Sequence, residues 1–131
     1  MKLQVVYKKL KNARKYLIHN ISNKIIKEND IIVTETLKIS KMVENKKLSK
    51  KIYDASWYEL IRQLEYKSKW KNKKFYQIEE YYPSSQICSR CGYQEKRLKD
   101  LSIRKWECLN CTNNNERDIN VSINIMFEGL K

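Results

Sequence analysis

The stretch Ile31-Ile32-Val33-Thr34-Glu35-Thr36-Leu37 opens like a buried β-strand and then meets a carboxylate. Three β-branched residues in succession suit a strand covered on both faces. A glutamate placed almost at once after them is costly to bury unless it is paired, hydrated or bound to a cation. Either Glu35 marks where the strand surfaces, or it is held there for chemistry.

Upstream, Val6, Leu10, Ala13, Leu17, Ile21 and Ile25 recur at spacings of 4, 3, 4, 4 and 4. That period predicts one apolar helix face between about Val6 and Lys27. His19, the only histidine, has no acid or cysteine near it in sequence and reads as a polar residue of the helix surface. Asn29-Asp30 then stops the helix.

Downstream, Lys38 to Lys51 carries six lysines and one glutamate with no clear period. It reads as a solvated loop or short outward helix. Its lysines, Lys46, Lys47, Lys50 and Lys51 among them, either serve a plain connection or contact phosphates. A second helix is expected from near Asp54, with Asp54 as cap or Ser56-x-x-Glu59 as a capping box. Trp57, Leu60, Ile61 and Leu64 share its inward face. Near its end, "YKSKWKNKK" (66–74) sets lysines, including Lys69, Lys71 and Lys73, around Trp70. Basic residues interleaved with an aromatic suit a nucleic-acid backbone and its bases, while lysines at a helix C-terminus also suit the dipole. Phe75 to Ile78 reads as a second strand. Arg117 to Phe127 reads as a last helix whose face is Ile119, Ser122, Ile123 and Met126. Helix, strand, helix, strand, cysteine module, helix is the order of an α/β core with an insertion before its last helix.

The 131 residues are enough for one ordinary domain, and 41% hydrophobic residues allow it a core. No apolar run is long enough to span a bilayer, and the start has no signal-peptide pattern, so the chain reads as a soluble, cytoplasmic protein without a membrane partner. The net charge of +13 is unevenly placed. Residues 1–83 hold 20 Lys+Arg against 9 Asp+Glu, and residues 84–131 hold 8 against 6. Such a field favours a polyanionic partner, although an AT-rich genome that uses lysine as its default solvated residue would supply part of it.

All four cysteines fall in one region, as Cys88-Ser-Arg-Cys91 and Cys108-Leu-Asn-Cys111, a C-x2-C-x16-C-x2-C pattern. Two residues between paired cysteines let both thiolates of a tight turn face one ion, and two such turns complete a tetrahedron. A cytosolic setting argues against two disulfides. With every position taken by thiolate, the expected Zn2+ is structural. Gly92 can supply the positive φ that the first turn needs, and Asn113 the same after the second. Trp106 is expected to pack on the ribbon hairpin.

Just beyond lies "NNNERDINVSINI" (113–125). Asp118 there either caps the last helix or meets Glu35 at one end of the sheet to bind divalent cations, since hard Mg2+ prefers carboxylate oxygens. Taken together, "KENDIIVTETLKISKM", "DASWYELIRQLEYKSKW", "YYPSSQICSRCG" and "ERDINVSINI" resemble the C-terminal half of the TnpB/OrfB-type proteins. These are transposon-encoded RNA-guided nucleases related to type V CRISPR effectors. The resemblance runs from about residue 5 to residue 126.

It implies an incomplete RuvC-like (RNase H-like) α/β core interrupted by a four-cysteine zinc ribbon. Residues 1–83 would be the partial core, 84–115 the ribbon, and 116–131 the last helix of the core. Glu35 and Asp118 would be ligands of a nuclease centre, and Cys88, Cys91, Cys108 and Cys111 the zinc ligands. Glu116 stands where the family usually has Asp. The family's centre also needs an aspartate on the first strand in a D-x-G context, and nothing before Glu35 supplies it. The implied protein is thus an N-terminally truncated relative that binds zinc and nucleic acid, DNA and guide RNA, without cutting alone. Mg2+ would bind properly only if the site were completed. Two alternatives stay open: one half of a split nuclease joined by an upstream-encoded fragment, or a zinc-ribbon regulator. The founding strands of the sheet would be absent, leaving an apolar edge open to another chain or a second copy.

Overall fold

Two long helices each run into a short strand, because a polar stop follows each helix and a β-branched or aromatic run follows the stop. The computed structural model describes residues 2–36 and 48–131, without the side chains of 48–54. Helix α1 (Lys2–Glu28) precedes β1 (Ile31–Thr34), and α2 (Leu48–Trp70) precedes β2 (Lys74–Gln77). A 3-10 turn (Lys96–Lys99), β3 (Lys105–Glu107), β4 (Asn114–Glu116) and α3 (Arg117–Gly129) follow. The architecture is α/β, as expected. Among the described residues no helix is long and apolar enough to cross a membrane.

The chain forms two units, one of Met1–Ile32 with Leu37–Tyr76 and one of Val33–Thr36 with Gln77–Lys131. In the first, Asn29 ends α1 by donating its side-chain amide to Ile25 C=O at 2.9 Å. Asn72, in the left-handed region at φ 54°, ends α2, and Lys73 N–H reaches back to Ser68 C=O at 2.8 Å. Asparagine tolerates that conformation, so it does here what glycine usually does. Lys74 N–H then donates to Asp30 C=O at 3.0 Å. In the second unit Ile78 N–H donates to Thr34 C=O at 3.0 Å. The partners advance together along β1 and β2, the pattern of a parallel pair joined through a helix. Among the described residues the sheet order is β1-β2 alone.

The core of the first unit is Ile26, Ile32 and Leu64, with Ile25, Leu60, Ile61 and Phe75 packed on it. The inward face expected for α2 is therefore present at Leu60, Ile61 and Leu64. The α1 stripe is different. Val6, Leu10, Leu17 and Ile21 are exposed, and the buried residues of α1 are Ser22 and Ile26. The reason is polar. Lys67 is only 8% exposed and donates to Ser22 Oγ at 2.7 Å and to Gln63 Oε1 at 3.2 Å. Its Nζ also lies 3.1 Å from Nδ1 of His19. His19 is thus half-buried and partnered rather than a free surface residue. Burial lowers the Lys67 pKa below the ordinary lysine value. A network of acceptors, together with Ile26 and the one buried-side member of the stripe, Ile25, sets which side of α1 faces α2.

Helix α2 also starts earlier than its capping signals suggest. It begins at Leu48, so Asp54 and Ser56 lie inside it. No glycine or proline interrupts the lysine-rich approach, and nothing local stops the helix from extending backwards.

Candidate metal centre

The four cysteines sit on two turns built alike. In the first, the bridge between Ile87 and Gln94 closes a hairpin around Cys88–Cys91. In the second, β3 and β4 pair antiparallel, Trp106 opposite Asn115, around Cys108–Cys111. Gly92 N–H donates to Cys88 C=O at 2.8 Å, and Thr112 N–H to Cys108 C=O at 2.9 Å. Cys88 N–H donates to Tyr93 C=O and Cys108 N–H to Asn113 C=O, both at 2.9 Å. Gly92 has φ 77°, as the first turn requires. In the second turn the positive φ falls on Thr112 (58°), the residue that directly follows the pair, and not on Asn113.

These turns bring all four Sγ atoms within 4.8 Å of one another. Cys88 and Cys111 are 3.8 Å apart at sulfur, and Cys91 and Cys108 3.6 Å. A Zn–S bond of about 2.3 Å in a tetrahedron puts sulfurs about 3.8 Å apart, whereas a disulfide needs about 2.05 Å. The four thiols are free and form a donor set that can hold a metal ion such as zinc. Trp106 and Leu98 are buried with Cys88 and Cys108, and Ile103 and Cys111 pack against them, so the ligands are themselves part of the core.

The thiols share their protons unequally. Cys91 is held down at about 6, first by a hydrogen bond from the Asn110 side chain and then by the Tyr93 N–H. Burial opposes ionisation of Cys88, but the N–H groups of Cys91 and Arg90 and the Asn115 amide outweigh it and lower its pKa. That amide lies 3.6 Å from Cys88 Sγ. The Asn113 N–H favours the Cys111 thiolate, yet burial and the three neighbouring sulfurs push this thiol up to about 11. A cluster that resists complete ionisation by itself is one that a dication would complete.

Helix α3 grows directly out of β4 and is fastened to this module by polar side chains. Arg117, Asn120 and Asn124 are its buried residues, while Ile119, Ser122 and Met126 face solvent. Of the face expected here, Ile119, Ser122 and Met126 thus point outward and Ile123 is half-buried. Arg117 donates to the carbonyls of Leu98, Asp100 and Ile103 at 2.9–3.0 Å. Asn120 donates to Ile87 C=O at 2.7 Å and accepts from Ser89 N–H at 2.8 Å. Asn124 donates to Ser84 C=O at 2.8 Å and Ile87 C=O at 2.7 Å. Reading the helix by apolar period passed over all of these. Their signal was two asparagines four apart inside a helix, where asparagine is a poor former unless its amide is used.

The carboxylates sit in separate settings within the second unit. Glu35 lies one residue beyond β1, is half-buried, and burial raises its pKa above the usual value. Among the described residues no ion pair or hydrogen bond reaches it. Asp118 is exposed in the first turn of α3, 2.9 Å from Arg104. It is not the N-cap. That position is Glu116, which makes no side-chain capping bond. Of the basic residues singled out, Lys69, Trp70 and Lys71 are exposed. Trp70 is 77% exposed, with Tyr66 against it at 4.8 Å between ring centroids, and Arg62 lies over Tyr66 at 5.2 Å. Lys73 is tied to Asp30 at 2.7 Å. Lys50 and Lys51 lie in the first turn of α2, with side chains outside the described residues, as Lys46 and Lys47 are entirely.

This arrangement has known counterparts. The family model of the Cas12f1-like TNB domain matches residues 57–125. The chain belongs to that family. This TNB family member is 34% identical over 129 residues to a Streptomyces pristinaespiralis protein named as an RNA-guided DNA endonuclease, covering 98% of the chain and 32% of that protein. It is 29% identical over 143 residues to InsQ of Escherichia coli (strain K12), which carries the same activity in its name, covering 98% and 35%. The family member therefore spans about a third of the length of these relatives. Its fold resembles a chain in the solved Cas12f1–sgRNA–target DNA complex, with TM-score 0.73, 19% identity, and coverage of 95% of this chain and 36% of that one.

Proposed function

We propose that this chain is a zinc-holding, nucleic-acid-binding portion of a TnpB-type RNA-guided nuclease system that does not cut DNA by itself. The observation that carries the reading is the four-thiol cluster fastened to the helix whose first turn holds Asp118. In this reading Cys88, Cys91, Cys108 and Cys111 hold Zn2+, and residues 84–115 act as a ribbon inserted in a RuvC-like core formed by 1–83 and 116–131. With all four positions filled by thiolate, the ion has no open site and supplies stability rather than chemistry.

Glu35 and Asp118 are read as two ligands of a Mg2+ site. The setting of Glu35 supports this: a half-buried carboxylate with no described cation partner is poised for one. Two carboxylates hold Mg2+ weakly, so cleavage needs a third from outside residues 1–131. The exposed Lys69, Trp70 and Lys71, with Lys46, Lys47, Lys50, Lys51 and Lys73, are the residues we assign to RNA or DNA. Trp70, stacked against Tyr66, offers a π-face to an unpaired base.

Three measurements test the reading on the purified chain. Zinc should be present at one equivalent. RNA and single-stranded DNA should bind with an affinity that falls linearly in log[salt]. Mg2+ should produce no DNA cleavage. Cleavage by the chain alone that is lost on Glu35→Ala would overturn the claim of inactivity, and salt-independent binding would overturn the claim of phosphate recognition. A split nuclease is the second reading, favoured by the two-stranded β1-β2 sheet with open edges among the described residues. Co-expression with the adjoining reading frame that yields no complex would remove it.

A further inference from the structure

Asn120 stands out among the residues that neither the thiol cluster nor the carboxylates account for. It is buried, sits three residues from the start of α3, and spends both ends of its amide on the first cysteine turn. Its Nδ2 donates to the carbonyl of Ile87, directly before Cys88, and its Oδ1 accepts from the N–H of Ser89, directly after it. The amide thus spans Cys88 as a neighbouring strand would, fixing the backbone on both sides of one sulfur. Cys88 is the most buried of the ligand positions together with Cys108, so its Sγ has little freedom once the backbone is held. Asn124 shares the Ile87 carbonyl but makes no hydrogen bond to Ser89.

We propose that Asn120 is a positioning residue for the metal site, and that through it the loaded or empty state of the four thiols sets the order of the first turns of α3, where Asp118 lies. Two bonds that set the Cys88 turn are made to the helix itself, so metal binding and helix order stabilise each other by the same free energy. Loss of a partner that orients a ligand typically costs about 10- to 100-fold in metal affinity. The inference rests on the cysteines holding zinc and is independent of any nuclease role.

The test uses the full 131-residue chain, zinc affinity by competition with a chromophoric chelator, Co2+ spectra, and amide exchange along α3 with and without zinc. Wild type should show exchange protection in the first turns of α3 that rises on adding zinc. Asn120→Ala should bind zinc about 10-fold or more weaker and lose that zinc-dependent rise, while its Co2+ spectrum still reports four thiolates. Asn124→Ala removes comparable anchoring of the helix and should change zinc affinity far less. Equal losses in the two variants would show that Asn120 merely anchors the helix and would overturn the proposal. So would an Asn120→Ala affinity within twofold of wild type. If the alanine variant does not fold, Asn120→Asp keeps the acceptor for Ser89 but gives up the donor to Ile87, so it should bind zinc weaker than Asn124→Ala, and binding as tight as that of Asn124→Ala overturns the inference. A wild type that takes up no zinc overturns both this inference and the zinc assignment, whereas zinc uptake with an unaffected Asn120→Ala overturns this inference alone.

Discussion

Gly129, in the last turn of α3, lies so close to Val33 of β1 that a methyl group on its Cα would overlap Cγ1 of Val33. The helix that carries Asp118 in its first turn therefore ends on the strand that leads to Glu35. Glycine is needed here for space, not for an unusual backbone angle.

Gly129→Ala should overpack this contact and destabilise the second unit by roughly 1–3 kcal/mol. Urea unfolding checks it. Adding Val33→Ala should return part of the loss, and a double variant no more stable than Gly129→Ala would show that the contact is not the cause.

Removing the metal should loosen the packing of Leu98 and Trp106 while the hydrogen-bonded cysteine turns persist, because Cys88 and Cys108 are part of that core. In a Trp57→Phe/Trp70→Phe background, a strong chelator should shift Trp106 emission to the red while leaving most helical circular dichroism, since α1 and α2 pack in the other unit on Ile26, Ile32 and Leu64. An unchanged emission maximum would refute this.

In metal-free protein at pH 7, Cys91 should be alkylated first. It is exposed and its pKa is about 6, so it is mostly thiolate at that pH, whereas Cys111 at about 11 keeps its proton. Mass mapping after brief iodoacetamide treatment reads the order, and zinc should suppress it.

Glu35 gives a pH prediction with a definite sign. Burial raises its folded pKa above its unfolded value, so the folded state binds more protons across the window that opens at the ordinary carboxylate value and extends upward. Stability contributed by the protonated form is present below that window and is lost as pH rises through the folded pKa. Glu35→Gln should therefore unfold at higher urea than wild type at pH 7.5 without divalent cation, and the difference should shrink toward pH 4.5. A constant difference across that range would contradict the burial argument.

Trp70→Ala should weaken single-stranded RNA binding by roughly 1–3 kcal/mol without altering the salt slope, whereas Lys71→Gln should reduce that slope by about 1. Filter binding at several salt concentrations separates the two.

The cysteine module was legible in the sequence because its information is local: two x2 spacings and a glycine directly after the first pair write the turns. Only the second turn was misread, its positive φ falling on Thr112, since a non-glycine left-handed residue has no strong signature. Strand β1 and the stop at Asn29 were legible for the same reason, whereas the left-handed stop at Asn72 was not singled out. The inward face of α2 was legible too, at Leu60, Ile61 and Leu64, but the faces of α1 and α3 were not. Periodicity registers apolar side chains, and the faces that pack here are polar: Ser22 against Gln63 and Lys67, and Arg117, Asn120 and Asn124 against carbonyls. A reading by hydrophobicity turns such helices outward.

That polar fastening of α3 has a thermal consequence. Apolar contacts lose strength on cooling because their release carries a large positive heat capacity, while release of polar groups changes it in the opposite sense. A helix held by amide and guanidinium groups on backbone carbonyls should keep its attachment in the cold. Low temperature will then loosen the Ile26–Ile32–Leu64 core of the other unit before it frees the helix that carries Asp118.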